Sequence, residues 1–377
     1  MTVLKVLVGV AGGLLIAGDL YDLVRALVVP RPHTGGPVAL GARHLRHVMH
    51  AGVGRVRSFA RRDYLLTTFE PIVMLLRLAI WLAAGLVGFA LIIWSTGRAT
   101  FLHAFIEAGS SIFTLGFATE NHPAPEVVAF LAAAFGLLVV ALQIAYLPAL
   151  YDAFNRRETL VTMLESRAGT PAWGPELLAR HYLVGIEGNL ASFYGEWERW
   201  SADVAESHTT YPSLIYMRSP HPTNSWIVGL VAVLDSAALY LALCPTAAPA
   251  EARLSLRMGF TALRDIARAI RLPYDPDPLP NSDIALPYDD YLAAVARLER
   301  AGVPLERSAT EAWPHFKGWR INYEAIAYTL TNIIFAPPAV WTGSRRYPDE
   351  VSDTAAFPRR PIDRRPDQPE GDAAEAG

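Results

Sequence analysis

The sequence predicts an all-α membrane protein. It has three transmembrane helices, a short re-entrant helix between the second and third, and an α-helical cytoplasmic domain. Three observations predict this. Apolar runs long enough to cross a bilayer occupy 3–29, 72–95 and 127–151. The segment 100–113 between the last two is only about half a bilayer long as a helix, roughly 18 Å. Beyond residue 174 apolar residues recur at helical spacing, and no alternating strand pattern competes with them.

Composition agrees. Hydrophobic residues make up 52% of 377, charged residues 18%, and mean hydropathy is +0.23, which suggests membrane segments joined to a soluble part. A net charge of −3 gives no global reason to expect a nucleic-acid partner. Cys244 is the sole cysteine, so neither an intrachain disulfide nor a cysteine metal cluster can form.

The first element, 1–30, reads as a retained N-terminal anchor: Lys5 precedes an apolar run, and no Ala-x-Ala-like site follows it. Asp19, Asp22 and Arg25 fall on one side of this helix near its end. They read as a terminus reaching the headgroups, with Arg25 snorkelling, in preference to a buried ion pair.

Residues 31–70 form a basic loop with Arg31, Arg43, Arg46, Arg55, Arg57, Arg61 and Arg62, placed in the cytoplasm by the positive-inside rule. Its His33, His44, His47 and His50 sit among arginines. They suit a solvated amphipathic face against anionic lipid better than a metal site.

A pore-forming unit is expected over 71–152. From Leu78 to Gly97 there are 20 uncharged residues, about 30 Å of helix, with Arg77 snorkelling at the cytoplasmic end. Thr100 is the expected N-cap of the short helix. The third run has 25 uncharged residues, then Arg156, Arg157 and Arg167. Both charge clusters give one topology: N-terminus outside, three spans, C-terminus in the cytoplasm.

Residues 153–340 form the expected helical cytoplasmic domain. Pro175 suits a helix start, and Tyr182, Ile186, Leu190, Phe193, Trp197, Trp200 and Val204 make one helical stripe. Further helices are expected at 224–244, 250–270, 289–301 and 319–335. Hydropathy alone also allows a fourth span over 226–244. That would put Asp235 at mid-membrane, at ~2.5–3.5 kcal/mol, so a buried core helix is preferred. Residues 341–377, rich in Pro, Arg, Asp and Glu, read as a disordered tail.

The chemistry concentrates after the short helix, in Thr114-Leu115-Gly116-Phe117-Ala118. Dehydrated cations need oxygens in place of water, which successive backbone carbonyls can supply if the backbone alternates, with some residues at positive φ. The Thr-Leu-Gly-Phe core resembles the potassium-channel selectivity filter, usually Thr-Val-Gly-Tyr-Gly. The resemblance implies an inner hydroxyl ring at Thr114, carbonyl sites at Leu115, Gly116 and Phe117, and Phe117 packed behind the filter. Ala118 stands where the family has its second glycine, which bears on selectivity more than on the pore itself.

Glu107, Ser110 and Ser111 on the short helix read as filter support, against a simple polar cap for Glu107. Gly136 lies where related channels place a gating hinge, and Pro148 is expected to bend the inner helix. One chain carries one such stretch, so a closed ring of carbonyls implies a homotetramer in the lipid bilayer. No cofactor is expected beyond permeant K+.

A second similarity, to bacterial single-pore potassium-channel family proteins, rests on 146–151, Arg156-Arg157-Glu158, 196–200, Ser225-Trp226 and Leu234-Asp235. It leaves the ligand of the cytoplasmic domain unnamed. The alternative class is a non-conducting scaffold or sensor that keeps the pore fold. An enzyme is not expected: Glu196, Glu198, His208, Arg218 and His221 match no nucleophile–base or metal spacing.

Overall fold

The computed structural model describes residues 2–29, 58–96, 100–118 and 123–342, with short pieces between 41 and 56. The described residues are helical, without strands; one isolated bridge joins Ala339 and Thr342. The expected histidine face falls largely outside them, His44 excepted. The chain divides into two units, Met1–Asp152 and Ala153–Gly377.

The first unit contains α1 (Thr2–Leu27), α2 (Phe59–Thr96), α3 (Phe101–Ile112) and the start of α4 (Pro123–Ala168). Its core is built from Leu23, Trp81, Phe89, Ile93, Ala104, Ala108, Ile112 and Phe135. α1, α2 and α4 are long and apolar enough to cross a membrane. Their lipid-compatible faces are bare within the chain: Leu14, Leu75 and Phe130 are each about 70% exposed.

Both long helices overrun the apolar runs. α2 begins at Phe59, well before 72, and passes through Pro71; α4 continues to Ala168. At 1.5 Å per residue they measure about 57 and 69 Å, roughly twice a hydrocarbon core. Charge ends an apolar run without ending a helix, because Arg, Glu and Lys are good helix formers. Residues 59–70 are therefore not loop. Arg46 pairs with Glu70 at 3.0 Å, and Leu45 and Met49 pack on Phe69 and Val73.

The α1 charges also differ from expectation. Asp19 and Asp22 are buried, and Asp22 accepts a hydrogen bond from Trp81 Nε1 of α2 at 3.0 Å. Arg25 lies over the Tyr21 ring, 5.4 Å from its centre. Packing on α2 outweighs snorkelling because the indole N–H gives the carboxylate a partner away from water.

In the second unit, α5 (Gly174–Val184), a 3₁₀ turn (Glu187–Asn189) and α6 (Leu190–Thr210) replace the single helix the stripe predicts. The break is at Gly185, whose φ of 74° makes it a left-handed C-cap. Then come α7 (Ser213–Tyr216), α8 (Trp226–Leu243), α9 (Ala250–Ala269), α10 (Tyr288–Arg300), α11 (Ala309–Arg320) and α12 (Glu324–Ile333). A turn at 321–323 splits the expected 319–335 helix between α11 and α12.

α8 is the axis of this unit. It is as apolar as a span, yet every residue except Leu241 is buried, against α5, α6, α9, α11 and α12. Asp235, in its middle, forms an ion pair with the buried Arg320 and accepts from Tyr323 Oη at 2.6 Å. Arg320 also holds Glu324 at 2.8 Å and donates to the Trp341 carbonyl at 2.7 Å. The core-helix reading of 226–244 therefore holds. Trp341 is buried against Phe316 and Trp173, so the packed chain includes the first residue assigned to the tail; residues 343–377 lie outside those described.

Candidate functional site

The candidate stretch follows α3. Thr100 caps that helix as expected, its hydroxyl accepting the His103 N–H at 3.4 Å. Ala104, Glu107, Ala108, Ser110 and Ile112 make the buried face, so α3 packs on α2 and presents its C-terminal carbonyls to the chain that follows.

A helix C-terminus leaves its last carbonyls without intrahelical partners. Here the chain folds back over them. Phe113 N–H donates to the Gly109 carbonyl at 3.0 Å and Thr114 N–H to Ser111 at 2.9 Å. The Ser110 carbonyl accepts from Leu115 at 2.7 Å and Gly116 at 3.4 Å. The Ser110 hydroxyl oxygen accepts from Phe117 at 3.0 Å and Ala118 at 3.2 Å. Six successive backbone donors are thus consumed by three residues of one helix end. Among the described residues, no backbone amide donates to the carbonyls of Thr114, Leu115, Gly116 or Phe117.

Backbone conformation makes this possible. Thr114 has φ 54° and Gly116 φ 71°, so alternate residues are left-handed, the pattern expected for this stretch. Glycine adopts this freely, whereas at Thr114 it costs ~1–2 kcal/mol. Ala118 is not among the left-handed positions, so its methyl group carries no such cost.

Ser110 is buried and Glu107 is fully enclosed one turn earlier. Sequence reasoning named Ser110 as support but missed its role as the acceptor for four amides. The available signal was a serine on the buried face of an apolar helix, two residues from its end. Among the described residues Ser111 contributes its carbonyl, to the Thr114 amide. Leu115 is 61% and Phe117 68% exposed, so among the described residues Phe117 finds little packing behind the stretch.

Gly136 sits where α4 crosses the end of α3. A Cβ there would lie 2.1 Å from the Ile112 carbonyl oxygen, so glycine is required by close approach. α4 is helical through Pro148, which is exposed.

In the second unit Arg157, His208 and Arg218 are engaged in packing, whereas Glu196 and Glu198 are half-buried and His221 is exposed. Arg157 is fully buried: it pairs with Glu158, donates to the Leu214 and Met217 carbonyls at 2.6 and 2.9 Å, and lies 3.2 Å from His208 Nε2. Burial, then the Arg157 charge, holds His208 well below the usual histidine range. Arg218 donates to the Ile334 and Phe335 carbonyls at 3.0 and 2.9 Å. Among the described residues no three His, Cys, Asp or Glu side chains converge on a point. Comparison with protein-family models, with curated proteins and with solved structures gives no match for this chain.

Proposed function

We propose that this protein is a cation channel that passes potassium through a homotetrameric pore. Thr114 to Ala118 of each subunit would line the axis as its selectivity filter. One observation carries the reading. Hydrogen bonds to Gly109, Ser110 and Ser111 take every amide from Phe113 to Ala118, and among the described residues no backbone amide donates to the oxygens of Thr114 to Phe117, while Thr114 and Gly116 are left-handed. An oxygen-rich, donor-poor backbone is what a dehydrated cation requires. The exposed Leu115 and Phe117 are apolar surface that neighbouring subunits would cover.

The pore would be framed by α2 and α4, with the N-terminus outside and the second unit in the cytoplasm, an orientation favoured by the basic residues after α1 and after residue 151. No catalytic step and no cofactor other than the permeant ion is assigned.

The test is the reversal potential of purified protein in a planar bilayer, with potassium on one side and sodium on the other. Reversal near the potassium equilibrium potential is expected. Current reversing near zero reduces the proposal to an unselective pore. Silence in the wild type and in Ala118→Gly alike favours a non-conducting scaffold.

A further inference from the structure

The outer face of α9 is a ladder of arginines. Between residues 252 and 271 the chain carries Arg253, Arg257, Arg264, Arg268 and Arg271 against one acid, Asp265. The opposite face, with Ala252, Leu256, Gly259, Leu263 and Ile266, is buried, so the arginines share the solvent side. Asp265 is occupied by Arg268 at 2.7 Å. Arg264 is fixed over the Phe260 ring and donates to Asn322 at 3.0 Å. Arg253, Arg257 and Arg271 are exposed and form no ion pair among the described residues. Concentrating like charge on one face raises the free energy of the isolated unit and attracts an anionic partner.

We propose that this ladder docks the acidic segment 367–377 of the same chain. That segment holds Asp367, Glu370, Asp372 and Glu375 and no Lys or Arg, whereas 345–366 carries six arginines among its acids. The lengths agree: Arg253 to Arg268 covers about 22 Å of helix axis, and Asp367 to Glu375 about 26 Å of extended chain. The point of departure is also near. The described chain ends beside Arg320, which holds the Trp341 carbonyl, and Asn322, two residues on, touches Arg264 of the ladder. The 25 residue steps from Thr342 to Asp367 can reach about 80 Å when extended.

The experiment uses the full chain in a non-ionic detergent, with a nitroxide at Ala373→Cys. Cys244 stays unlabelled: it is buried, and burial pushes its thiol up to about 11. At about 50 mM salt the label should be immobilised, and at about 1 M, where screening reaches ~3 Å, it should be mobile. Reversing Arg253, Arg257 and Arg271 to Glu should release it. Reversing Asp367, Glu370, Asp372 and Glu375 to Lys should do the same, and combining both sets should restore immobilisation. A label equally mobile with and without either reversal overturns the proposal. So does immobilisation that occurs only in nanodiscs containing phosphatidylserine, which would make the ladder a lipid-binding surface.

Discussion

α2 and α8 are equally apolar, and each reads as a membrane span by length and composition. In the structure they are opposites. α2 leaves Ile72, Leu75 and Val87 exposed along its length; α8 hides everything except Leu241 inside its own unit. Each is also tied to a buried carboxylate. Asp22 accepts from the Trp81 indole N–H of α2, and Asp235 of α8 pairs with the Arg320 guanidinium and accepts from the Tyr323 hydroxyl. An apolar helix must be kept from water, but its composition does not say whether lipid or protein does so. The fold does say, because α2 keeps an apolar face bare within the chain while α8 keeps none but Leu241.

The strongest way to break the contrast is Arg320→Met. It leaves Asp235 enclosed without its counter-charge, and should cost ~3–5 kcal/mol in denaturant unfolding followed by tryptophan fluorescence. Asp235→Leu combined with Arg320→Met should recover most of that loss. If the single variant is as stable as wild type, α8 is not held by this pair.

In the first unit, Ser110→Ala removes the acceptor for the Phe117 and Ala118 amides. It should cost ~1–3 kcal/mol and, on the channel reading proposed above, abolish selective current, with Ser110→Thr rescuing both. Unaltered selectivity in the alanine variant would separate the stretch from the pore.

The third effect belongs to the second unit alone. His208 stays neutral when folded but takes a proton when unfolded near pH 6.5. Its contribution to stability is therefore complete above that pH and lost as pH falls through it, at up to about 1.4 kcal/mol per pH unit. His208→Gln should flatten the acid limb of a stability–pH curve; an unchanged slope would assign that limb to other groups, such as the buried His181.

Smallest is Trp81→Phe, which removes one hydrogen bond to Asp22. It should cost ~1 kcal/mol, read as a small shift in unfolding midpoint in detergent. A loss as large as that of Arg320→Met would show that the two carboxylates are held equally tightly, and the contrast would fail.

Much of this was legible in advance. The long apolar runs, the short helix with its Thr100 cap, and the assignment of Asp235 to a protein core all follow from hydropathy, capping chemistry and the cost of charge in hydrocarbon. A left-handed residue at Gly116 was legible because glycine adopts that conformation freely; the one at Thr114 was not. Helix ends were not legible: α2 and α4 run on through charged residues, because hydropathy marks where water stops and not where the backbone hydrogen bonds stop. The break at Gly185 was hidden by a periodic stripe, since a left-handed cap can keep residues on either side of it in phase.

The sequence by itself determined the all-helical class, the apolar segments and the chemical character of the stretch after Ile112, because these depend on local composition and spacing. Only the tertiary structure decided which apolar helix is enclosed by protein, that Arg320 neutralises Asp235 from 85 residues away, and that Ser110 gathers the amides of the candidate site. Burial and partner choice depend on segments distant along the chain, and no local pattern contains them.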